Sequence, residues 1–133
     1  MEIKRNEATL NRPEGDRVLD GTYVFVDLPT YIRQIKEEKA WEKNDRNGIT
    51  VFKSDHITIV ITILQKGSAI RDSEMDEFLT VQVLDGNLRF VTPEGDIDAV
   101  KHQQITFHPK VKHSIEALSE SIVLLTTFKD KID

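Results

Sequence analysis

Residues Ile57 to Leu64 read ITIVITIL. In an extended chain, successive side chains point to opposite faces. Ile57, Ile59, Ile61 and Ile63 then fall on one face, and Thr58, Val60, Thr62 and Leu64 on the other. Both faces are largely apolar, so a strand built from this run needs a cover on each side. The run is too short, and too interrupted by threonine, to span a bilayer.

The rest of the chain is read around that strand. The period changes to two at Ile49, giving strands over Ile49–Lys53 and His56–Gln65 with Ser54-Asp55 as the turn. Lys66-Gly67 turns the chain again. Phe78–Leu84 and Asn87–Val91 flank Asp85-Gly86, a hairpin signal. Ile97–Val100, Gln104–Phe107, Lys112–Ala117 and Ser121–Phe128 complete the strands, with TPEGD (Thr92–Asp96) as a further turn. Upstream, Tyr23–Val26 is β-branched and aromatic and reads as a strand. A helix is expected over Thr30–Glu42, with Asp27 or Thr30 as cap and Pro29 in its first turn. Its narrow apolar stripe, Ile32 and Ile35 with Tyr31, Ala40 and Trp41, suits a helix packed on the outside of a larger body. Asn44–Gly48 reads as a loop, and residues 1–16 as a flexible N-terminal arm that is frayed or lies across a partner subunit. Many short strands with one peripheral helix argue a sandwich or barrel.

Composition narrows function more by exclusion. A chain of 133 residues suits one domain. The formal net charge of −5 disfavours nucleic acid and anionic membrane as partners. There is no cysteine, which removes disulfides, thiol nucleophiles and thiolate metal sites. The N-terminal residues carry no apolar stretch of signal-peptide type, so the expected location is cytoplasmic.

Specific residues choose among β topologies. Gly67 follows an apolar strand, VQVLDG (Val81–Gly86) ends in a hairpin glycine, and KVKHSIEAL (Lys110–Leu118) places His113 before a strand. This pattern resembles the small bacterial cupins, as does the upstream EEKAWEKNDRNGITVFKSD (Glu37–Asp55). The resemblance covers residues 46 to 128. It implies an all-β, cupin-like double-stranded β-helix, a jelly-roll barrel with one peripheral N-terminal helix, commonly as a homodimer. The organisation expected is an arm over 1–16 and one domain over 17–133, with a strand and helix over 17–45 packed on a barrel core over 46–128.

The metal motif of the resemblance does not carry over. Ser73 and Met75 stand at its two histidine positions and Leu79 at its glutamate. In its second part, His102 and Lys110 stand at the glycines and His108 at the proline. Of four ligands only His113 matches, so no cofactor is expected, and any divalent metal would have to use His113 with unconventional donors. If Leu79 points inward, Val81 does too, and the wall is apolar with Ser73, Met75 and His113 near its mouth. That arrangement suits a small, partly apolar ligand with one hydrogen-bonding group, and equally a filled core. The carboxylates of RDSEMDE, Asp72, Glu74, Asp76 and Glu77, read as a solvated loop. Three function classes stay open: a non-catalytic ligand-binding protein, a metal-dependent isomerase or oxygenase, and an interaction protein acting through its dimer surface.

Overall fold

The computed structural model describes residues 3–10 and 12–130. Eleven strands and two short helices follow in chain order: β1 Lys4–Asn6, β2 Arg17–Asp20, α1 Leu28–Glu37, α2 Lys39–Lys43, β3 Arg46–Lys53, β4 Ile57–Leu64, β5 Ala69–Ser73, β6 Phe78–Asp85, β7 Asn87–Thr92, β8 Gly95–Val100, β9 Gln104–Phe107, β10 His113–Ala117 and β11 Ser121–Phe128. Nine of them form two antiparallel sheets, ordered β5-β10-β7-β8 and β3-β4-β11-β6-β9. A separate pair, β1-β2, precedes them.

The strand β4 has the two covers its sequence demands. Leu64 joins the core between the sheets, with Leu79, Val81, Val83, Leu88, Phe90, Phe107, Ile115 and Val123. Ile61 and Ile63 face the other way, into a second core with Ile49, Val51 and Ile122. That core is closed by α1, whose Ile35 is fully buried, with Ile32, Tyr31 and Trp41 packed around it. The strand β11 runs antiparallel to β4 over Ser121–Phe128 and to β6 on its other edge, and it feeds both cores through Val123 and Ile122.

The expected hairpin at Asp85-Gly86 is instead a turn between sheets: it joins β6 of one to β7 of the other, and the two strands do not pair. Gly86 sits at φ +98°, and a Cβ there would meet Glu120 O at 2.6 Å, so both backbone angle and space require glycine. No described helix is long and apolar enough to cross a membrane.

The N-terminal third departs from expectation. Residues 4–6 are a strand paired with β2, so the arm is partly ordered on its own chain. The strand expected at Tyr23–Val26 is instead Arg17–Asp20, and residues 22–27 are irregular, with Tyr23 and Phe25 strongly exposed. The helix divides at Glu38, whose backbone is extended (φ −76°, ψ 147°). Asp27 occupies the cap position without bonding the helix backbone; its carboxylate accepts from the Thr30 hydroxyl at 3.0 Å. Arg46 and Asn47, placed in a loop by their turn-like neighbours, begin β3. The strand β5 was hidden by its polar composition (AIRDS).

Glu38 interrupts the helix because its side chain is held by a polar knot. Arg12 donates to it through Nε at 2.8 Å and through a terminal nitrogen at 2.9 Å. Asn47 Nδ2 donates at 2.9 Å and Gln34 Nε2 at 3.2 Å. Asn47 also reaches Ile35 O on α1 and takes the Gly48 N–H. Arg12 bonds Gly48 O at 3.0 Å and Arg17 bonds Thr50 O at 2.7 Å. These are the outward carbonyls of β3, an edge strand, so two guanidinium groups occupy positions where another strand would pair.

Burial alone would push the Glu38 carboxyl up, but the hydrogen bonds from Arg12, Asn47 and Gln34 outweigh it and hold the group below its ordinary value of 4.5. A depressed folded-state value stabilises above the unfolded value and loses that contribution as pH falls through the folded one. Glu38→Gln is expected to cost about 2 kcal/mol at neutral pH. Its stability should also fall less steeply than the parent's below about pH 4.5. Urea unfolding across pH 3 to 7 measures both. A second expectation concerns the edge: Arg12→Ala/Arg17→Ala should form larger species than the parent as concentration rises in sedimentation runs.

Candidate functional site

The strand β10 alternates buried and half-buried residues, with His113, Ile115 and Ala117 facing the core between the sheets. His113 is 3% exposed. Its Nδ1 lies 3.0 Å from Val111 O. A carbonyl only accepts, so Nδ1 carries a proton, and in the tautomer with its single proton there Nε2 is an acceptor. That Nε2 is buried and has no hydrogen-bond partner among the described residues. The ring stacks on Phe107, centroids 4.3 Å apart and planes 8° from parallel, and Phe107 tilts against Phe90 at 6.0 Å.

The expected site residues come together at this end of the barrel. Ser73 is the register partner of His113 across β5 and β10. Leu79 pairs with Phe107 and Val81 with Ile105 across β6 and β9. Leu79 and Val81 are buried in the same cluster as Phe107, and Met75 and Val111 pack against it. The barrel here is lined by hydrocarbon, one thioether and one imidazole. A divalent ion of cupin type takes about three nitrogen, oxygen or thiolate donors. No group of three or more His, Asp or Glu side chains converges anywhere among the described residues. The donor set beside His113 does not fit such an ion.

The remaining histidines and acids are dispersed. His102 lies in the β8–β9 turn at φ +75°, its N–H bonded to Val83 O. His108 packs on Phe78 at 5.1 Å on the surface, and His56 is exposed at the β3–β4 turn. Asp72 sits at φ +52°, its N–H donating to Ser114 Oγ at 3.0 Å, and Asp72, Glu74 and Asp76 are exposed.

One feature was not anticipated from sequence. A groove of about 770 Å³ opens between Thr92–Ile97, the β7–β8 turn, and Ile105–Lys112, the end of β9 and the loop into β10. Phe107 and Val111, the two residues that hold the His113 ring, are part of its lining. The loop is fixed by Lys110, whose N–H donates to Met75 O at 2.6 Å. Lys110 adopts φ +66°. The only sequence signal was indirect: Lys110 stands where the cupin pattern has glycine, the residue that tolerates that angle.

No protein-family model and no curated protein matches the sequence. Solved structures do match in three dimensions. A cupin superfamily protein from Desulfitobacterium hafniense superposes with TM-score 0.63 at 18% identity, over 65% of this chain and 80% of that one. A conserved protein of unknown function from Streptococcus pyogenes gives 0.67 at 17%, over 85% and 93%. An RmlC-like cupin from Shewanella frigidimarina gives 0.61 at 12%, over 63% and 76%. At these identities the likeness speaks for architecture alone. With the two antiparallel sheets, it shows that this chain has the cupin fold, all-β with small helices packed on the barrel.

Proposed function

We propose that this protein binds a small, partly apolar ligand at the His113 end of the barrel and does so without a divalent metal. The observation that carries the reading is the buried, unpartnered Nε2 of His113. An acceptor enclosed without a donor costs free energy, on the order of 1–3 kcal/mol. A ligand hydroxyl or N–H would recover it. The partly buried residues packed against the core, Met75, Ile105 and Val111, supply the apolar contact that gives such a ligand its affinity. Because Leu79, Val81, Phe90 and Phe107 are all buried against one another, the ligand sits at the barrel's end rather than along its axis.

His113→Phe tests the reading directly. The substitution keeps a flat ring on Phe107, removes the unmatched nitrogen and leaves Val111 O without its donor. These effects oppose each other, so stability should change by less than about 1 kcal/mol. Binding of hydroxyl-bearing fragments, followed by shifts of the His113 ring nitrogens in the parent, should disappear in the variant. Protein purified without chelator should carry far less than one equivalent of metal. Stoichiometric iron, manganese, nickel or zinc that is lost in His113→Phe would overturn the proposal and favour the metal-dependent enzyme.

A second reading, an interaction protein working as a homodimer, draws on a different observation. Tyr23 and Phe25 are 82% and 85% exposed on the irregular segment between β2 and α1. Tyr23→Ser/Phe25→Ser should convert a dimer to monomer in sedimentation equilibrium if these aromatics form its contact; an unchanged mass would remove that support.

A further inference from the structure

The groove beside His113 has an apolar floor and two charged rims. Ile97, Ile105, Phe107 and Val111 form the floor. Ile97 is 53% exposed, so much of its apolar surface is open to solvent. One rim carries Glu94 and Asp96, the other Lys110 and Lys112. Among the described residues none of these four joins an ion pair, although their neighbours do: Arg89 with Asp98 at 2.9 Å, for example. Opposite charges line one groove and do not close across it.

Lys110 adds a second, independent observation. Its left-handed backbone favours glycine, and side chains with a Cβ are strained there. Strained residues persist where the surroundings fix them, and they concentrate at ligand sites. Here the 2.6 Å bond to Met75 O does the fixing. The backbone role needs no side chain, so the ammonium of Lys110 requires another reason.

We infer that the groove is the outer half of the ligand site and that it selects a small zwitterion with an apolar body, the chemistry of a free α-amino acid. The carboxylate lies toward Lys110 and Lys112 and the ammonium toward Glu94 and Asp96. The side chain rests on Ile97, Ile105 and Phe107. Charge complementarity on both rims sets the class, and the apolar floor sets the preference within it. This rests on the metal-free ligand reading above, because Phe107 both lines the groove and carries the His113 ring.

The test uses the intact protein and four probes: L-leucine, 4-methylpentanoate, isopentylamine and N-acetyl-leucinamide. Amide shifts on titration should place leucine in the groove, with each single-charge analogue and the neutral amide at least about fivefold weaker. Lys110→Gly should weaken leucine about fivefold. The same variant should raise the thermal midpoint by about 3 °C, because glycine relieves the backbone. Asp96→Asn should weaken leucine comparably without that rise. The inference is overturned if N-acetyl-leucinamide binds as well as leucine, or if no probe perturbs the groove. It is equally overturned if Lys110→Gly gains stability with binding unchanged, since the lysine is then only a tolerated residue. In each of those cases a hydroxyl-bearing fragment that still shifts the His113 ring leaves the wider proposal standing. Loss of that response as well removes both.

Discussion

The structure turns on the need of β4 to be covered twice. A strand with isoleucine on one face and a mixed but buried second face cannot lie at the surface of one sheet. One face is met by the opposing sheet and the other by α1, so the molecule has two cores separated by a single strand layer. Each buried isoleucine contributes roughly 1.5–3 kcal/mol by transfer from water. Ile35, Ile49, Ile61 and Ile63, all at 0% exposure, therefore make the helix as necessary to the barrel as the barrel is to the helix.

That arrangement creates a difficulty at the edge. Wrapping α1 over β3 brings a break in the helix and an edge strand to the same place, and both leave backbone groups in need of partners. The knot around Glu38 answers both demands with few residues. Asn47 ties the end of α1 to β3, Glu38 accepts from three side chains, and Arg12 reaches from the N-terminal segment to β3 itself. A buried carboxylate is tolerable here because every hydrogen bond it accepts is charge-assisted or comes from an amide. The early segment is thus held by polar contacts, where the barrel is held by apolar ones.

This difference explains what was legible in the sequence. Period-two apolar strands announced themselves: Gln104–Phe107 and Ser121–Phe128 match residue for residue, and the cupin fold followed from glycine positions and the HSIEA strand. Strands made by pairing rather than by burial did not. The strand β5 reads AIRDS, and β1 reads KRN; each is defined by its neighbour in the ladder. Tyr23–Val26 erred in the opposite direction, having the right residues but no partner strand to pair with. Of the site, alternation along β6 put Val81 on the same face as Leu79, and His113 was singled out by the cupin resemblance. The groove did not, because it lies between two turns whose approach depends on the closure of both sheets.

Two of the places where this chain breaks a local rule are adjacent. A lysine holds a left-handed backbone angle, and three residues later a histidine keeps a buried nitrogen without a partner. They meet neighbouring residues: Met75 accepts the Lys110 N–H, while Val111 accepts from His113 and Phe107 supports its ring. Elsewhere, Asp72 and His102 also hold left-handed angles, and the buried oxygens of Ser68 and Asn87 also lack partners among the described residues. Sequences tend to be locally consistent with their folds except where something other than stability is being served. Two such exceptions on one short segment, at the mouth of a barrel whose interior is otherwise filled, support placing the proposed ligand there.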